Sequence, residues 1–185
     1  MKLFTTAVLL SLATLSAQAA PRTVDTARSD ISFSVKQMGV AVDGRFKRFE
    51  AQVSFDAAKP ETSSAALSVD IASIDAGSDE ADSTAAERAW LDKAGFPKAT
   101  FKSSSVRAVG PGKYEAKGLL TIKGKPREIT VPFSAADQAS GATLLSGQFS
   151  IRRTDFGVGG GEWNEGDLVS NDVPVKFKLL LAPAK

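Results

Sequence analysis

The sequence predicts an all-β protein: about eight strands in an antiparallel barrel or sandwich, with one inserted helix. Three observations lead there. First, apolar residues alternate with polar ones along most of the chain. In the last such run, Val173, Val175, Phe177, Leu179 and Leu181 are apolar, and Lys176 and Lys178 fall between them. Period two is the mark of a strand with one buried and one wet face. Second, Gly and Pro turns separate the runs at short intervals, as in sandwiches and small barrels. Third, a single stretch, Asp79 to Lys93, abandons period two for Ala, Glu, Asp and Arg.

The elements follow in order. Ile31, Phe33 and Val35 alternate with Ser32, Ser34 and Lys36 up to Met38-Gly39. Phe46 and Phe49 flank Lys47-Arg48, then Val53 and Phe55 alternate up to the Lys59-Pro60 turn. Leu67, Val69 and Ile71 alternate, but Ile74 is out of phase, so a bulge or strand end is expected near Ala72-Ser73. Thr84 and Glu87 have capping-box spacing, and Gly95 with Pro97 supplies a stop, which predicts a helix from Thr84 to Lys93 carrying Trp90. Strands resume at Thr100–Val109 and Tyr114–Ile122, with Gly110-Pro111-Gly112 between them. Lys123-Gly124-Lys125-Pro126 reads as a hairpin, followed by Ile129, Val131 and Phe133, then by Leu145, Phe149 and Ile151. A glycine-rich loop, Phe156 to Gly166, precedes the final strand.

The first residues read as a targeting segment. Lys2, the apolar run Leu3–Leu15 and the Ala17-Gln18-Ala19 site form a secretory signal, expected to be cleaved after Ala19. Residues 20–185 are then expected to fold as one domain, exported most simply to a bacterial periplasm. The apolar run is shorter than the roughly 20 residues of a spanning helix, so the protein is not expected to span a membrane.

Composition narrows the chemistry. The chain has 23 Lys and Arg against 21 Asp and Glu, with the basic residues scattered, which gives no electrostatic case for nucleic acid. It has no His and no Cys. That removes Ser-His-Asp and Cys-His catalysis, disulfides, and most zinc, copper and haem sites. No catalytic residue, metal or cofactor is therefore assigned. An enzyme would have to use paired carboxylates with separated pKa values, and no pair has diagnostic spacing. The loop from Thr154 to Trp163 fits neither phosphate-binding glycine pattern, and Asp155, Glu162, Glu165 and Asp167 lack EF-hand spacing. The basic groups Arg45, Lys47, Arg48 and Lys123, Lys125, Arg127 read as solvated turns, the first being a candidate for an anionic head group. The aromatic inventory is uneven: 11 Phe against one Tyr and two Trp. Phe on alternating strands serves either a filled core or a long apolar pocket.

Several segments together resemble the YceI-like, polyisoprenoid-binding family. They are Asp30 to Gly39, Gly44-Arg45-Phe46, Val69 to Asp75, Trp90 to Pro97 and Ala99 to Ser103, then Leu120 to Gly124, Phe149 to Gly157 and Asp172 to Lys178. They occur in family order across nearly the whole mature chain. The chain departs from many members in having Arg28 and Gln37 near the first strand, where those carry His. The resemblance implies a lipocalin-like barrel of eight antiparallel strands and an elongated apolar cavity. It also implies a periplasmic binding or carrier protein, without catalysis, for a polyprenyl or quinone-like lipid. Phe33, Val35, Val69, Ile71, Phe101, Phe133 and Phe149 are expected to face the lipid tail, together with Phe46, Ile122 and Phe177. The helix with Trp90, and Phe96 after it, would cover one end. A membrane respiratory protein is a candidate partner, and the chain is expected as monomer or homodimer. The alternatives are a carboxylate-based lipid-modifying enzyme and an interaction protein with a filled interior.

Overall fold

The computed structural model describes residues 19–163 and 168–183, without the side chain of Glu162. The expected signal peptide lies outside these residues except for Ala19.

The described chain is all-β with one α-helix. Its strands are β1 (Pro21–Thr23), β2 (Asp30–Gln37), β3 (Val40–Phe46), β4 (Phe49–Ser54), β5 (Ser64–Asp70) and β6 (Ile74–Asp75). After helix α1 (Asp79–Ala86) come β7 (Lys98–Gly110), β8 (Lys113–Ile122), β9 (Lys125–Asp137), β10 (Thr143–Arg152) and β11 (Asp172–Leu181). All pair antiparallel in one sheet of order β1-β4-β5-β7-β8-β9-β10-β11-β2-β3-β6. Strands β3 and β4 lie near opposite ends of that order, yet only Lys47 and Arg48 separate them in the chain. The sheet must therefore curl on itself. Val24 adds a bridge to Leu181 on the same side.

The expected count of eight becomes eleven for local reasons. The run from Val40 to Ser54 breaks at Lys47-Arg48, where it leaves β2 as partner and takes up β5. Strands β1 and β6 are pieces of three and two residues at that seam. The expected phase slip near Ala72 is a 3-10 turn, Ile71–Ser73, capped by Asp70, whose side chain accepts from Ala72 N at 2.9 Å. The two tight hairpins have left-handed residues at Met38-Gly39 (φ 50° and 81°) and Lys123-Gly124 (51° and 70°), the geometry that matches strand twist.

The helix is displaced from its expected position. It starts at Asp79 because Ser78 Oγ accepts from Ala81 N (3.2 Å) and three acids, Asp79, Glu80 and Asp82, occupy the first turn. It ends at Glu87, whose ψ of 162° is extended. The expected helix Thr84–Lys93 therefore exists only in its first three residues. Trp90 stands on the turns that follow.

The interior has two halves. At one end Val24, Val53, Phe55, Tyr114, Leu145, Leu179 and Leu181 are buried against one another. Phe55 meets Tyr114 edge-on at 5.1 Å, and Tyr114 stacks on Phe133 at 5.4 Å. At the other end lie four connections: α1 with its following turns, the β2–β3 and β8–β9 hairpins, and the β10–β11 loop.

Candidate functional site

A cavity of about 650 Å³ occupies the curl of the sheet. Its walls come from inward positions of nearly every long strand: Phe33 and Val35, Val69, Phe101, Ile122, Val131, Phe149, Val173 and Val175 among them. The phase of the last strand carries through, since Val173, Val175, Phe177 and Leu179 all line it. In β7 a register shift between Ser103 and Ser105 moves the inward set from Phe101 to Val106. The buried cluster forms the floor. Exposed lining residues, Gln37 at the tip of β2 and Glu80 and Thr84 on α1, mark the mouth.

Glycines explain why the middle is open. Phe33 lies across from Gly44, and Phe177 from Gly147, in direct cross-strand register. Each ring lies back over its glycine. A Cβ added at Gly44 would meet Phe33 Cε2 at 2.8 Å, and one at Gly147 would meet Phe177 Cε1 at 2.7 Å. Gly118 makes the same recess for Phe101, at 2.7 Å from Cζ. Such rings cover bare backbone and leave the lumen free. They stay half-buried although they point inward, as residues facing a void do.

The rim is held by two cations. Arg153 is 3% exposed, and no carboxylate among the described residues pairs with it. Its Nε donates to Ser170 O (3.1 Å), Nη1 to Val158 O (2.9 Å) and Gly159 O (2.7 Å), and Nη2 to Val169 O (2.8 Å) and Trp163 O. Its guanidinium also sits 5.6 Å from the Trp90 ring, which stands 5.9 Å from Trp163. The glycine-rich loop thus turns carbonyls onto a cation, the reverse of a phosphate cradle. Lys123 Nζ donates to Arg88 O (2.7 Å) and Gly157 O (3.0 Å), tying three connections together. Burial holds both groups below their ordinary pKa. Lys123 is therefore a structural tie, correcting its reading as a solvated turn residue.

The structure brings eleven of the twelve expected residues to the cavity wall: Phe33, Val35, Phe46, Val69, Ile71, Trp90, Phe101, Ile122, Phe133, Phe149 and Phe177. Phe96 is the correction. It is 36% exposed, packs against Gly124 of the β8–β9 hairpin, and is absent from the lining. Chain reversal at Asp92 (φ 52°) and the turn after it direct Phe96 outward. Arg153 is the residue that reading the sequence missed. Its signal was an arginine directly before a loop rich in Gly, where backbone carbonyls crowd together.

The basic group beside Phe46 is ion-paired, three cations to two carboxylates. Arg45 and Lys47 each reach Asp75 at 3.2 Å, and Arg48 reaches Asp70 at 2.8 Å. Among the described residues no cluster of three potential metal ligands occurs. Asp155 is exposed, while Glu165 and Asp167 lie outside the described residues. Glu80 is the single carboxylate in the lining among the described residues, which therefore bring no pair of carboxylates together there. No described helix is long and apolar enough to cross a membrane.

A profile described as the YceI-like domain matches residues 23–181. A UPF0312 protein of Vibrio cholerae is 34% identical over 151 residues, covering 77% of this chain and 80% of its own. One from Shewanella putrefaciens is 31% identical over 155 residues, covering 80% and 81%. Among solved structures, BcnA of Burkholderia cenocepacia is 41% identical, with a TM-score of 0.82 over 85% of this chain and 99% of that one. A polyisoprenoid-binding domain from Saccharophagus degradans shares the fold at 16% identity, with a TM-score of 0.69 over 90% of this chain and 100% of that one.

Proposed function

The chain belongs to the YceI-like domain family, and on that premise we propose that it is a binding protein for a long-chain isoprenoid-type lipid. The observation that carries the reading is the cavity: about 650 Å³, walled by Phe, Val, Ile and Leu, and open at one end. That volume is within the range of small-molecule sites, and a filled-interior interaction protein would have none. The polyisoprenoid-binding neighbour supports a lipid as the class of ligand. In this reading the curled sheet acts as a lipocalin-like barrel, and Phe33, Phe101, Phe149 and Phe177 face the tail. Each methylene moved from water contributes about 0.8 kcal/mol, so a partly buried tail binds without charged contacts. The amino-terminal signal supports export to a periplasm as the place of action.

The test is extraction of the purified protein with organic solvent, followed by mass spectrometry. The expected result is a co-purifying prenyl lipid, or retention of an added one. A clean extract together with no retention refutes the reading.

A further inference from the structure

The lip of the cavity breaks two local rules in one place. The β2–β3 hairpin turns at Met38-Gly39, and the four residues Met38-Gly39-Val40-Ala41 are all exposed, with no polar side chain among them. Turns of this kind favour Asn or Asp ahead of the Gly, and a run of exposed apolar residues is unfavourable in water. Met38 is also left-handed, at φ 50°, where a residue with a Cβ is disfavoured. Lys123 holds the same position in the β8–β9 hairpin, but its ammonium is tied to Arg88 O and Gly157 O. Met38 gains nothing comparable within the fold, being 74% exposed.

Other apolar residues gather there. Six large apolar residues are exposed among the described residues, and three of them, Met38, Val40 and Leu168, stand at this corner. Met38 N donates to Leu168 O at 2.7 Å and Val169 bridges to Gln37, which straps Leu168 beside the tip. The patch runs on into the cavity, since Gln37, Val42 and Val169 line it. It is a hairpin tip rather than a groove. Three side chains fall far short of the roughly 800 Å² that each side of a stable protein interface buries, too little to hold a second copy or another folded protein. A bilayer needs no such area, because each apolar side chain that enters it contributes by itself. The charges select the kind of surface. Lys36 is the exposed cation nearest the tip in sequence, and Asp79, Glu80 and Asp82 of α1, at the same end, form no ion pair among the described residues. Nothing there builds the polybasic patch that anionic lipid would call for.

We propose that the mouth end docks on an electrically neutral bilayer surface by inserting the β2–β3 hairpin tip with Leu168, so that the cavity opens against the lipid phase. The purpose of this contact rests on the lipid-binding reading above, since a long-chain lipid would pass between bilayer and cavity without crossing water. The contact itself is read without added ligand.

The experiment is co-flotation of the mature protein with phosphatidylcholine vesicles. Its amino terminus is first checked by mass spectrometry, because a retained signal would bind bilayers by itself. The parent is expected to float with the vesicles at low and high salt alike. Met38→Asn combined with Val40→Thr is expected to weaken vesicle binding by at least about tenfold. Asparagine suits a left-handed turn position and threonine suits a strand, so the melting temperature should be no lower than the parent's. Val109→Thr, at an exposed apolar residue by the β7–β8 connection at the floor end, should change nothing. A parent that stays off the vesicles overturns the proposal, as does binding that the double substitution leaves within twofold. Binding that needs phosphatidylglycerol and disappears in salt also overturns it, and assigns the attachment to cations. Retention of a polyprenol, measured in parallel without vesicles, separates the two readings. Failed docking with the polyprenol retained leaves the lipid reading standing, whereas docking without retention removes the lipid cargo and keeps the contact.

Discussion

Replacing Gly44 by Ala tests whether the glycine recesses keep the lumen open. The backbone there is not left-handed, so alanine meets no conformational strain. Its Cβ would stand 2.8 Å and 2.9 Å from Phe33 Cε2 and Cε1, and nearer still to Cζ. Ordinary carbon contacts are about 3.5–4.0 Å, so the ring must move by roughly 0.7 Å or more. Backbone lies behind it, and the way out is into the cavity. Overpacking costs about 1–3 kcal/mol, partly offset by the 0.5–1 kcal/mol that alanine gains over glycine in a strand. Net destabilisation of about 1 kcal/mol is expected. Binding should suffer more. A ring swung inward displaces about two or three methylenes of ligand, about 2 kcal/mol, or about 30-fold in affinity. Urea denaturation gives the first quantity and tryptophan-monitored titration with a polyprenol the second. Gly160→Ala, where no atom lies within 4 Å of the added Cβ, is the control and should change neither. If Gly44→Ala binds the lipid within twofold of the parent, the recess argument is wrong.

Two further outcomes are expected. Arg153→Lys keeps the charge but offers three donors in place of five, so at least two carbonyls lose their partners. Stability should fall by about 3 kcal/mol, with faster amide exchange between residues 157 and 170; a loss below about 0.5 kcal/mol would contradict the clamp. Acid should weaken the seam: hydrogen bonds from Arg48 and Lys47 hold Asp70 and Asp75 below the usual carboxylate range. A folded pKa below the unfolded one gives stability that is complete above about pH 4 and lost as pH falls through the folded value. Asp70→Asn should flatten this loss in pH-dependent urea midpoints, modestly because both carboxyls are well solvated, and identical profiles would rule the pair out as its source.

Much of this was legible in the chain because strand period is strict. The odd positions of the last strand face the lumen as read, and so do Phe33, Val69 and Phe149. What periodicity cannot report is how far an inward side chain is covered. Phe33 and Phe55 give the same signal, yet one lines an open wall and the other belongs to the buried floor. The difference lies in cross-strand neighbours such as Gly44, which only register reveals. The helix was misplaced because two caps competed. Thr84 and Glu87 match a written motif, while Ser78 with three acids after it is the pair that forms. Arg153 was hidden because its partners are backbone carbonyls, to which sequence is blind.

The buried floor gives the cavity a direction. Leu181 and its neighbours are buried together at one end, so on the lipid-binding proposal a chain molecule enters at the mouth and leads with its tail. First in is last out. The end that reaches the floor fixes a zero mark, and any length beyond the tube's depth stays outside, beside Gln37 and α1. On the lipid-binding proposal, such a holder gauges its ligand like a ruler and keeps the same end of it at the mouth.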